Sequence, residues 1–238
     1  MLLDVKKYQK DDCKTIAVLS PTFKKDYFDI ICAPLHDKNK FKSSDNVIFF
    51  EGSLAKVSTN EPSKDITMIA VGGTNKHYRF DNNHLIYQIS FLINLYSNSS
   101  IYIFNSRRTP DSFNKELDKI TKDNTNITFV NINSNQSISI DEVLQKASTK
   151  IISRDSINMI FESLSTRGDT YLLDMKDIKS NNKVVKNVNH LIANRKIGYV
   201  DTSDITNGIS KLKLEKQNSY NDVYAEVEKV AFEIRKYL

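Results

Sequence analysis

From residue 66 onward, the hydrophobic and polar positions repeat with a regular period. Short apolar or β-branched runs occur at 66–72 (ITMIAVG), 100–104 (SIYIF), 127–131 (ITFVN), 150–153 (KIIS) and 170–174 (TYLLD). Runs of this length bounded by polar residues read as buried strands. Helical patterns lie between them. Asp81 is a fitting N-cap, and Leu85, Ile89, Leu92, Ile93 and Tyr96 mark one face at helical spacing. Pro110 opens a second helix carrying Phe113, Leu117 and Ile120; residues 141–147 form a third, and 155–165 a fourth whose Met159, Ile160 and Leu164 face the core. Strand and helix alternating in this way predict a parallel sheet with helices on both faces, a Rossmann-like α/β domain.

Residues 1–60 hold three further apolar runs, TIAVLS at 15–20, FDIICAP at 28–34 and NVIFFEG at 46–52, without helices long enough for full βαβ units. They read either as the tail of a second α/β domain or as extra strands on the main sheet. At the other end, Ser219 and Asp222 predict a capping box. Val223, Val227, Val230, Ile234 and Leu238 predict an apolar stripe on a helix that crosses back to the N-terminal part. The expected division is 1–61 for a partial N-terminal domain, 62–218 for the Rossmann-like domain and 219–238 for the terminal helix.

Composition changes this picture little. The 238 residues are 39% apolar and 26% charged with 4 prolines, so a folded core is expected and a long disordered linker is not. A net charge of +5 suits a small anion or an anionic membrane surface, and no basic–aromatic cluster has the spacing of a nucleic-acid reader. Cys13 and Cys32 form no CxxC and no zinc set. With no secretory signal core and no apolar run near 18 residues, the expectation is a cytoplasmic protein, peripheral at most to the inner face of a membrane.

The unusual residues follow the strands. Gly72, Gly73, Thr74, Asn75, Lys76, His77, Tyr78 and Arg79 follow the first, Ser106, Arg107, Arg108 and Thr109 the second, and Asp155, Ser156 and Asn158 the fourth. In an open α/β sheet with strand order 3-2-1-4-5, that edge and that switch point bind ligands. The chemistry on offer is anion binding. The glycines are expected to free N–H groups, and Lys76, Arg79 and one of Arg107 and Arg108 to give charge-assisted bonds, the other arginine bracing the loop. Asp155 or Ser156 opens a helix whose N–H groups attract phosphate, and Glu162 can accept sugar hydroxyls. His77 is the one histidine in the cluster, whereas His36, His84 and His190 have no recognisable spacing. No catalytic base is identifiable, and no carboxylate pair predicts a metal.

These same residues resemble the mitochondrial fission "elongated mitochondria" family of plants and its bacterial counterparts, described as GT-B-type glycosyltransferases. The family's Gly-Gly, basic, His-Tyr-Arg-aromatic pattern is similar to Gly72 to Phe80. Its Ser-Arg-Arg-Thr-Pro is matched in full by Ser106 to Pro110, and its Asp-Ser…Met-x-x-Glu stretch by Asp155, Ser156, Met159 and Glu162. The resemblance, over roughly residues 25 to 238, implies a GT-B-like pair of Rossmann-like domains. It implies a nucleotide-diphosphate-sugar donor held as substrate by the second, with no cofactor and no metal, and a glycolipid or glycan acceptor. GGTNKH is not the GxGxxG fingerprint that an NAD-dependent epimerase would carry. The chain departs from the pattern in lacking the usual first half of the N-terminal domain and the family's Asn-Pro-Tyr and Gly-x-Pro runs. Two readings follow: a glycosyltransferase, or a non-catalytic Rossmann-scaffold interaction protein at a membrane surface.

Overall fold

A computed structural model describes residues 13–22, 25–42, 45–134, 137–206, 212–217 and 223–238. The chain divides into two compact units, Met1–Val57 with Ala225–Leu238, and Ser58–Tyr224.

The larger unit is built on a seven-stranded sheet. Its strands are β4 (Ser63–Ala70), β5 (Ser100–Phe104), β6 (Ile127–Val130), β7 (Ala147–Ser153), β8 (Asp169–Leu173), β9 (Gly198–Asp201) and β10 (Lys213–Glu215). They lie in the order β10-β9-β8-β7-β4-β5-β6, parallel except for β10, which is antiparallel to β9. Between them run α1 (Asn82–Leu95), α2 (Asp111–Thr121), α3 (Ile140–Lys146), α4 (Ile157–Leu164), α5 (Lys183–Ala193) and the short α6 (Ser203–Thr206). Counting from β4, this is the 3-2-1-4-5 order continued by two strands, and β4 and β7 meet where the chain reverses direction across the sheet.

The sheet is buried on both faces, which is why its strands read as continuous apolar runs. Ile69, Ile103, Ile151 and Tyr171 form one transverse row by register, all 1% exposed or less, and α1 and α2 cover it with Leu85, Ile89, Leu92, Phe113 and Leu117. One residue further along, Ala70, Phe104, Ile152 and Leu172 point the other way, beneath Ile160, Phe161 and Leu164 of α4. Each Leu, Ile or Phe among them contributes roughly 1.5–3 kcal/mol on full burial. The helix starts follow their caps: Asp81 accepts from His84 N at 3.2 Å, and Asn182 accepts from Val184 N at 2.9 Å.

The smaller unit has a separate three-stranded parallel sheet, β1 (Ile16–Val18), β2 (Ile30–Pro34) and β3 (Val47–Phe50), in that order. The three N-terminal runs are therefore strands of their own sheet, joined by 3-10 turns at Lys25–Tyr27 and Leu35–Lys40. Helix α7 (Glu226–Arg235) packs Val230 against Ile30, Cys32, Ile48 and Phe50. The terminal-helix expectation needs correction. The helix begins after Ala225, so Val223 precedes it, and Val227 and Leu238 are exposed rather than part of a buried stripe. Ser219 and Asp222 lie outside the described residues. Glu226 anchors the start instead, accepting from Glu51 N at 2.8 Å.

One core position breaks the apolar pattern. Lys150 of β7 is fully buried, and its Nζ donates to Ser163 O (2.7 Å), Thr166 O (2.9 Å), Thr166 Oγ1 (2.8 Å) and Arg167 O (2.9 Å). It caps the carboxyl end of α4 from the neighbouring strand, supplying the donor those orphan carbonyls need. Burial holds its ammonium down to about 7, with Asp169 pulling the other way. Lys150→Met should destabilise the fold by about 1–3 kcal/mol in urea unfolding, because it strands buried acceptors. The amine titrates lower folded than unfolded, so between about pH 7 and the ordinary lysine range near 10.5 the unfolded chain binds the extra proton. Wild-type stability should accordingly gain a rising contribution across that window and lose it as pH falls to 7; the Met variant should lack that contribution.

Candidate functional site

The loops after β4, β5 and β7 meet at the carboxyl edge. In the first, Asn75 Oδ1 accepts from His77 N (2.6 Å) and Tyr78 N (3.0 Å) while its amide donates to Gly73 O (3.1 Å), so one side chain sets the turn. In the second, Ser106 N donates to Thr109 Oγ1 at 2.9 Å and Arg108 N to Ser106 Oγ at 3.2 Å. The buried Thr109 hydroxyl donates onward to Gly72 O, stitching the second loop to the first.

Asp155 joins all three. Its side chain is fully enclosed; Oδ2 accepts from Gly73 N (3.0 Å) and Arg108 Nη2 (3.0 Å), and Oδ1 from Ser153 Oγ (2.6 Å). Ser153 Oγ in turn accepts from Gly72 N at 2.7 Å. Arg108 also donates to Thr74 O at 3.2 Å. The glycines are needed for proximity: a Cβ at Gly72 would fall on the Asp155 carboxylate, and one at Gly73 on the Arg108 carbonyl.

The sequence-predicted residues therefore separate. Gly72 and Gly73 do not free N–H groups for a ligand, since both donate internally. Asp155 neither faces solvent nor caps α4; Arg108 is the bracing arginine. Tyr78 is 1% exposed and belongs to the core, and Thr109 is buried in the stitch. Burial pushes the Tyr78 hydroxyl up to about 12. Lys76, Arg79, Arg107 and Asn158 are exposed, and Ser106, His77 and Asn75 half-buried. Ser156 is the N-cap position of α4, but its side chain makes no capping bond. Glu162 is half-buried, its carboxyl raised by burial and by Asp141.

A cleft of about 440 Å³ opens beside this clasp, over the ends of β7, β8 and β9. Arg79 contributes to it from the first loop; its centre is a group the sequence reading missed. Asp174, just past β8, accepts from Arg154 (3.0 Å), His84 (3.3 Å) and Thr202 (2.6 Å). Burial would raise its carboxyl, but the hydrogen bond from His84, the Arg154 charge and Thr202 hold it below the usual range. Gln88 pins Asp174 by its backbone, donating to Asp174 O (2.9 Å) and accepting from Asp174 N (2.7 Å). His84 is thus not incidental. The available signal was Gln88, a polar residue fully buried on the face shared by Leu85, Ile89 and Leu92. Backbone bonds from Arg79 N to Lys176 O and from Ile178 N to His77 O (2.8 Å each) fasten the cleft's rim to the first loop.

Comparison with known proteins places the chain. The family model described as mitochondrial fission ELM1 matches residues 1–238, and the chain belongs to that family. No curated protein matches. Among solved structures, the pneumococcal O-GlcNAc transferase GtfA in complex with UDP and GlcNAc aligns at 8% identity and TM-score 0.38, covering 63% of this chain and 31% of its own. TarM aligns at 13% identity and TM-score 0.38, covering 96% and 48%, and the GtfA/B complex at 10% and 0.37, covering 90% and 43%. The chain thus spans less than half the length of each. Among the described residues, no helix is long and apolar enough to cross a membrane.

Removing the clasp should loosen all three loops together. Asp155→Ala leaves Gly73 N and Ser153 Oγ without their acceptor and Arg108 without its carboxylate, and should cost about 2–3 kcal/mol in urea unfolding. Gly72→Ala should destabilise as well through the clash with the same carboxylate, and Arg108→Ala less, because that side chain is 48% exposed. Hydrogen exchange at residues 72–79 and 106–109 should rise in the first two variants.

Proposed function

We propose that this member of the mitochondrial fission ELM1 family is a glycosyltransferase that binds a nucleotide-diphosphate-sugar donor at the carboxyl edge of its seven-stranded sheet. The observation that carries this reading is the Asp155 clasp. It fixes the loops of β4, β5 and β7 at the switch point, the crevice where open α/β sheets take nucleotides. Lys76 and Arg107 stand exposed on those fixed loops, and α4 begins beside them without a side-chain cap.

Each part has a role in the reaction. The first-turn N–H groups of α4 and the Ser156 hydroxyl receive a phosphate oxygen, favoured by the helix dipole. Arg107 and Lys76 neutralise the diphosphate as it departs. The acceptor hydroxyl's oxygen bonds to the anomeric carbon while the bond from that carbon to the phosphate oxygen breaks, its electron pair leaving with the diphosphate and the hydroxyl's proton passing to the departing phosphate oxygen. Preorganised cations lower the barrier because they need no rearrangement as that charge develops. Protein cations do the work of a divalent metal in this scheme, and no cofactor takes part. The acceptor is a glycan or glycolipid, reached from the cytoplasmic side.

Calorimetric titration of UDP and GDP into the full chain tests the reading. Arg107→Ala should weaken nucleotide binding about ten- to hundredfold, equivalent to roughly 1.5–3 kcal/mol. Ser156→Ala should cost less, about 0.5–1.5 kcal/mol for one hydrogen bond to the phosphate. Adding EDTA should leave the affinity unchanged. A wild-type chain that binds no nucleotide would favour a non-catalytic scaffold; nucleotide bound equally by both variants would move the diphosphate elsewhere.

A further inference from the structure

The cleft over β7, β8 and β9 has a chemistry different from the cationic loops beside it. Arg79, Arg154 and Lys176 line it together with Asp81, Asp174 and Asp177, three cations against three carboxylates. A free diphosphate gains little from so balanced a field, because two of the three cations already face a carboxylate. Arg154 bonds Asp174 at 3.0 Å, and Arg79 stands 3.9 Å from Asp81. What the cleft does offer is donors and acceptors side by side over an apolar floor of Leu85 and Met175, 1% and 2% exposed. Its volume lies in the range of small-ligand pockets, about 300–1,000 Å³.

We infer that this cleft is a carbohydrate site, taking a neutral, hydroxyl-rich glycosyl unit with His84, Asp174 and Arg154 at its centre. Hydroxyls both donate and accept, so they match a surface of alternating carboxylates and cations where an ion of one sign does not. Asp174 engages His84 Nε2 at 3.3 Å, which fixes the ring and leaves Nδ1 for a ligand hydroxyl. Asp174 is held in turn by Arg154, Thr202 and the backbone clamp of Gln88, so His84 is oriented by a carboxylate that cannot swing away. Arg154 Nε is buried without a hydrogen-bond partner among the described residues. Two sources supply such a unit: the sugar of the donor, in which case the inference rests on the reading above, or a glycan acceptor.

The test uses the full chain with ¹⁵N-labelled histidine. Of the 4 histidines, His84 is assigned by its missing imidazole signal in His84→Gln. UDP, UDP-glucose and UDP-GlcNAc are titrated in separate arms, and a broad glycan array supplies the nucleotide-free arm. The expected result is that a sugar-bearing ligand moves the His84 signal, that UDP alone does not, and that His84→Ala binds that ligand about five- to tenfold more weakly. A shift with nucleotide sugars identifies the donor's sugar; a shift with array glycans alone identifies an acceptor. If nucleotide sugars bind with His84 unmoved and no glycan binds, the inference fails while the donor reading stands. If a glycan moves His84 but no nucleotide binds, the donor reading fails and the carbohydrate site stands. If nothing binds, both are overturned.

Discussion

The carboxyl edge of the large sheet depends on one buried carboxylate. Asp155 holds a backbone N–H of the first loop, the hydroxyl at the end of its own strand, Ser153, and the guanidinium of the second loop's Arg108. An enclosed anion without those partners would be costly, so the three loops are driven to stay assembled around it. The two glycines follow from the same constraint, since the loops must approach closer than a Cβ allows. Fixed loops in turn define where the remaining cations stand. Arg108 gives its charge to the clasp, whereas Arg107 beside it stays exposed.

A second group of buried polar residues works by the same logic on the neighbouring strands. Gln88 sits in the apolar face of α1 because its amide satisfies the backbone of Asp174, and that pairing draws the end of β8 to the middle of α1. Lys150 does the equivalent for the carboxyl end of α4. Each is a polar side chain in a core whose full set of partners makes the position specific. The clasp and the Asp174 group lie at the same edge, and Arg79 of the first loop lines the cleft that the second surrounds. On the reading proposed above, the cation-rich loops would take the diphosphate of a nucleotide sugar, and the charge-balanced cleft beside them a neutral glycosyl unit.

Most of the architecture was legible in the chain. Hydrophobic period alone located β4 to β8 and the first four helices, because strands buried on both faces must be continuously apolar and helices must show one face. Asp81 and Pro110 marked two helix starts for local reasons of capping and fixed φ. Strand β9 escaped notice: its segment, GYVD, is too short and mixed to signal by itself, and it is recognisable only beside β8. The start of α7 was misplaced because a capping pattern is a local motif, whereas the helix begins where Val230 can reach the small sheet.

By itself the sequence determined which residues carry charge past the ends of strands, and in which loops; strand ends and glycine pairs are encoded locally. It could not assign those residues their tasks. Asp155, Arg108 and the glycine N–H groups looked like binding groups and are consumed by one another, since a hydrogen bond between positions 34 to 82 residues apart exists only after the sheet has brought the loops together. His84 and Asp174 looked unrelated for the same reason, 90 residues apart in the chain and 3.3 Å apart in the fold. Residue type and period decided the scaffold, because burial acts on each segment separately. Tertiary structure decided the site, because hydrogen bonding is settled by which groups meet in space.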